Sequence, residues 1–146
     1  MRTAISLLLI FAISFSVLSA TENEQTGKIK DEELIQGTWE VVKIEFGNGK
    51  TPPDIKNFKQ VFKEGMWRHI GTKAEREGTY KLDSTSNPKA IDTTQGETTI
   101  FGIYELDGDN LKICMSEGSG SVRPKEMKAE GDSISLVTYK RVKESK

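Results

Sequence analysis

The sequence predicts an all-β fold, an antiparallel up-and-down β-barrel of about eight strands preceded by a short N-terminal helical turn. Three observations lead there. The stretch Phe101 to Met115, FGIYELDGDNLKICM, sets two alternating runs about an acidic, glycine-containing turn, Asp107-Gly108-Asp109-Asn110. Gly102, Tyr104 and Leu106 share one parity before that turn, and Leu111, Ile113 and Met115 share one after it. Period-two alternation broken by turn chemistry is the strongest short-range sign of an antiparallel hairpin. Turn signals also recur every ~8–12 residues, the spacing of a sandwich or barrel. Finally, nearly every pair of neighbours is joined as a hairpin, and closing such a meander removes its exposed edges.

The elements follow in order. Asp31 to Gln36 reads as one helical turn with its acidic residues at the N-terminal end, where the backbone dipoles favour negative charge. Gly37 ends it. In the strand Thr38 to Phe46, Val42, Ile44 and Phe46 alternate with Lys43 and Glu45, whereas Trp39 and Val41 fall on the other parity. That switch predicts a bulge or sharp bend near Val41 and Val42. Gly47-Asn48-Gly49 and Pro52-Pro53 break the chain before a hairpin of Asn57 to Phe62 and Met66 to Ile70 about Lys63-Glu64-Gly65. Gly78 to Leu82 is a short strand, and Asp83 to Pro88 is a loop by turn-favouring composition. Lys89 to Thr94 resumes extension, and Gln95-Gly96-Glu97 turns into the hairpin described first. Val122 to Lys128 and Ser133 to Val142 are read as a last strand pair joined at Ala129 to Asp132.

Residues 1–20 have a different character. Arg2 precedes an almost uncharged run from Ala4 to Leu18, and small residues follow at Ser19 and Ala20. This is the layout of a secretory signal peptide, shorter than a usual transmembrane span. The expected organisation is therefore a signal peptide over 1–20, a flexible leader over 21–33 and one barrel domain over 34–143. The expected localisation is exported: periplasm, cell envelope or secreted. No membrane span is expected to remain once the signal is cleaved.

Composition narrows the function. The formal net charge is −1 with mixed signs, which argues against a nucleic-acid partner, since that usually needs a clustered basic face. Hydrophobic residues make up 35% of the chain, and the leader uses many of them, so the core is lean. Cys114 is the single cysteine, so no intramolecular disulfide forms; it reads as a half-buried strand residue. His69 is the single histidine and has no metal-ligand spacing about it. Asp83 and Asp92 flank the Asn87-Pro88 loop and read as loop caps. The Asp107 to Asn110 turn lacks the glycine and glutamate of a calcium loop. Gly118-Ser119-Gly120-Ser121 is not followed by a phosphate-binding helix start. No constellation meets the geometric demands of catalysis, and neither an enzyme, a metal nor a cofactor is expected.

What remains is the barrel interior. Trp39, Ile44, Phe62, Trp67, Tyr80, Tyr104 and Tyr139 are the candidate ligand-lining residues, with Val42, Phe101 and Leu136 in the wider apolar set. An eight-stranded barrel is either filled by side chains or hollow enough for one small ligand. Arg68, Arg76 or Arg123 near an open end would suit an acidic head group.

Two resemblances bear on this. Gly37-Thr38-Trp39, entering the first strand after a helical turn, resembles the G-x-W signature of lipocalins. The resemblance implies that Trp39 packs at the barrel floor against an arginine of the last strand, here Arg141. The chain departs from that superfamily in lacking a T-D-Y motif and a disulfide. LIQGTWEVVKIE, GTYKLDSTSNPKAIDTT and GIYELDGDNLKIC, with the terminal LVTYKRVK, also resemble in order and spacing a small exported bacterial domain family known chiefly from planctomycete genomes. Its members are lipocalin-like, and it brings no established activity. The resulting expectation is an exported monomer binding a small apolar or amphipathic ligand. The alternative is an envelope structural or protein-interaction module with a packed, ligand-free core.

Overall fold

Turn chemistry sets the hairpins. In the computed structural model, which describes residues 31–50, 54–71, 75–118 and 122–143, Glu64 and Gly65 both take positive φ. That is the type I′ pattern favoured between twisted antiparallel strands. At Gly96 and Gly108 only the first central residue does so, the II′ pattern. These turns join β2 (Lys59–Lys63) to β3 (Met66–Ile70), β5 (Ala90–Gln95) to β6 (Thr98–Asp107), and β6 to β7 (Asn110–Ser116). With β1 (Gly37–Phe46), β4 (Arg76–Asp83) and β8 (Ile134–Arg141), they form a closed antiparallel barrel in chain order. The segments expected to be a signal peptide and, for the most part, a flexible leader lie outside the described residues.

Closure depends on β1. Gly37 to Glu40 pair with β2 and Trp39 to Phe46 with β8, and the β8 register shifts between Val41 and Lys43. The bulge leaves Val42 45% exposed while Val41, Ile44 and Phe46 all oppose inward positions of β8. The parity switch in the sequence is this bulge, and Val42 does not belong to the interior. Phe101 and Leu136 are also outward, opposite Asp92 and Cys114 respectively.

The expected strand over Val122 to Lys128 does not form. The β7 strand pairs directly with β8 from Asn110–Lys140 to Ser116–Ile134, so no slot is open for another strand. Pro124 lacks an amide proton, and Val122 is 78% exposed. The segment instead lies along the outside of the barrel. Arg123 reaches back to the carbonyl oxygens of Ile91 and Gly102 and pairs with Asp92 at 2.7 Å. The Cys114 thiol donates to the Lys128 carbonyl at 3.3 Å, and Cys114 is fully buried under this loop rather than half-buried. Burial pushes its thiol pKa up.

Candidate ligand cavity at the open end of the barrel

The barrel has two unlike ends. One carries the β2–β3, β4–β5 and β6–β7 turns together with the start of β1, and the N-terminal turn closes it. Residues 31–34 form one α-helical turn, continued by Ile35 and Gln36, whose exposed carbonyls need partners. The indole Nε1 of Trp39 donates to Ile35 O at 2.8 Å, and Arg141 donates to Gln36 O at 2.8 Å and to Leu34 O. The Arg141 guanidinium lies 4.1 Å from the Trp39 ring centroid, within cation–π range. Gly37 takes φ +116°, and a Cβ there would come within 3.3 Å of Arg141 Nη1, so the motif needs its glycine.

Side chains complete the plug. Tyr104 donates to Asp31 at 2.6 Å, and Lys89 pairs with the same carboxylate oxygen at 2.8 Å. Gln36 donates to the Tyr80 hydroxyl at 3.2 Å and accepts from the Glu64 amide at 2.9 Å. Burial, then the hydrogen bond to Asp31, holds the Tyr104 phenol well above its ordinary pKa. Burial does the same at Tyr139. Asp31 is buried, so the anchored domain begins inside the segment assigned to the flexible leader.

The other four connections lie at the opposite end, where the described residues leave space between them. A cavity of about 140 Å³ is lined by apolar side chains from Phe62, Trp67, Ile100 and Met115. Polar walls come from Gln60, His69, Arg76, Thr93, Gln95 and Thr98. Strand register explains the grouping: Phe62 opposes Trp67, Gln60 opposes His69, and His69 opposes Arg76. Thr93 opposes Ile100, and Gln95 opposes Thr98. His69 packs edge-on against Phe58 with ring centroids 4.9 Å apart, and 4.8 Å from Trp67. Burial, reinforced by the Arg76 charge, lowers its pKa to about 4, so it is neutral near pH 7. Trp67 is 7% exposed, and its indole N–H has no hydrogen-bond partner among the described residues.

The candidate interior set therefore divides. Phe62 and Trp67 line the cavity, whereas Trp39, Tyr80, Tyr104 and Tyr139 fill the packed core and its floor. Ile44 is half-buried against that core and is not a wall of the cavity. Parity identifies an inward side chain, but not its level along the barrel axis. Gln60, His69, Gln95 and Thr98 were missed because apolar patterning passes over polar residues. The signal that finds them is that they share the inward parity of their strands.

The candidate arginines divide as well. Arg68 points outward and pairs with Glu77 at 3.3 Å, and Arg123 pairs with Asp92 outside the barrel. Only Arg76 of the three reaches the cavity. A larger concavity of about 780 Å³ is a surface groove beside the β4–β5 loop. Its carboxylates are already engaged: Asp83 caps the loop through Thr85, and Asp92 holds Arg123. Comparison of the chain with protein-family models, curated proteins and solved structures gave no match.

Proposed function

We propose that this chain is an exported, monomeric, lipocalin-like binding protein that holds a small amphipathic molecule in the open-end cavity. The observation that carries the reading is the cavity of about 140 Å³, in which apolar walls from Phe62, Trp67, Ile100 and Met115 meet the polar side chains of Gln60, His69, Arg76 and Gln95. Such convergence of an apolar pocket with a few polar groups is what small-molecule sites usually present. The leader sequence supports export, and the G-x-W entry with its Arg141 contact supports kinship with lipocalin-like exported domains. A thermal-shift panel of small aromatic and short-chain molecules tests the reading. Ligand that binds only the folded protein raises its melting temperature in proportion to occupancy. The expected result is stabilisation of the wild type that is lost in Ile100→Phe, which fills the cavity. No shift across a chemically varied panel would sink it.

The second reading is an envelope structural or protein-interaction module without a ligand. The observation in its favour is the tightly filled closed half, which leaves the barrel only a modest space. A single stoichiometric protein partner recovered from envelope extract, with a silent small-molecule panel, would support it.

A further inference from the structure

The lining of the cavity carries one formal positive charge, on Arg76, and no aspartate or glutamate. The other three arginines among the described residues each have a carboxylate: Arg68 has Glu77, Arg123 has Asp92, and Arg141 has Asp109 at 3.3 Å. Arg76 has no ion pair or hydrogen bond among the described residues. A planar guanidinium beside an apolar chamber is suited to a carboxylate held through two parallel hydrogen bonds. A cationic guest would meet Arg76 unfavourably, with no acid in the lining to offset it.

Size limits the other end of the guest. An engineered apolar cavity of ~150 Å³ holds a benzene molecule, and the space here is about 140 Å³. Phe62, Trp67 and His69 offer three rings as walls, which favour offset or edge-on contact with another ring. We infer that the site takes a single-ring aromatic carboxylate, with the ring inside the barrel and the carboxylate at Arg76. This rests on the ligand-binding reading proposed above.

Calorimetric titration of the full exported chain at neutral pH tests it with four probes: benzoate, benzyl alcohol, benzylamine and decanoate. Benzoate is expected to bind best, benzyl alcohol about tenfold more weakly, and benzylamine least, since one partly exposed charge-assisted contact is at stake. Arg76→Gln is expected to reduce benzoate binding to the benzyl alcohol level, and Arg76→Lys to restore part of it. Circular dichroism checks that both variants fold. Equal binding of benzoate and benzyl alcohol, or no effect of Arg76→Gln, overturns the anion assignment while leaving the cavity as a binding site. Decanoate binding more tightly than benzoate overturns the single-ring limit. Binding of none of the four overturns the inference, while the wider panel above still decides whether the cavity binds other molecules.

Discussion

Asp31 offers the sharpest test of how the barrel floor is held. Asp31 is 6% exposed, and its carboxylate accepts from the buried Tyr104 hydroxyl at 2.6 Å. Replacing it by alanine strands that hydroxyl in the core. A hydrogen bond to a charged acceptor contributes about 1.5–3 kcal/mol. The Lys89 contact, whose lysine side chain is 41% exposed, adds no more than about 1 kcal/mol. Asp31→Ala should therefore cost about 2–4 kcal/mol. Tyr104→Phe removes the donor and leaves Asp31 with Lys89, so its cost should be about 1–2 kcal/mol. In a double-mutant cycle the two should be coupled by about 1.5 kcal/mol. Urea unfolding followed by circular dichroism reads this as a lowered midpoint at constant m. Additive single effects, or an Asp31→Ala loss below about 0.5 kcal/mol, would refute the argument and put the start of the anchored domain after Asp31.

Three further outcomes follow from the same structure. The unfolded chain protonates His69 near 6.5 and the folded chain only near 4, so the unfolded state binds more protons between those values. Stability should fall by about 3 kcal/mol as pH is lowered through that window, and His69→Gln should lose this part of the dependence in denaturant titrations. Gly102→Ala would bring a Cβ within 2.9 Å of Cys114 O and 3.2 Å of Ile91 and Met115 side-chain atoms, so a loss of about 1–3 kcal/mol is expected. The Cys114 thiol should resist a soluble disulfide reagent until denaturant opens the 122–131 loop, and rapid labelling of the native protein would contradict its burial.

Much of the fold was legible because alternation is a local property. Tyr104 and Leu106 face Ile113 and Leu111 across the hairpin as their spacing requires, and the Trp39/Val42 parity conflict located the β1 bulge. The Val122–Lys128 segment misled because its failure as a strand is decided by the β7–β8 pairing, a contact that its own residues do not encode. Cys114 misled for the same reason, since the cover over its outer face comes from Lys128 and its neighbours. Asp31 reads as solvent-facing in any hydropathy pattern; only Tyr104 and Lys89, far away in sequence, justify burying it. The cavity was the least legible feature. Its limits depend on which inward side chains fall short of one another, as Gln60, Thr93 and Thr98 do around Trp67.

The two tryptophans provide the most direct test of the central claim that the open end, and not the floor, receives a ligand. Trp39 Nε1 is committed to Ile35 O, whereas Trp67 Nε1 has no partner among the described residues and belongs to a wall of the cavity. Their two indole N–H resonances can be followed separately in a nitrogen-correlated spectrum while benzoate is added. The expected result is a saturable shift of the Trp67 signal with the Trp39 signal unmoved. A Trp67 signal that stays fixed at saturating benzoate, or a shift confined to Trp39, would contradict it.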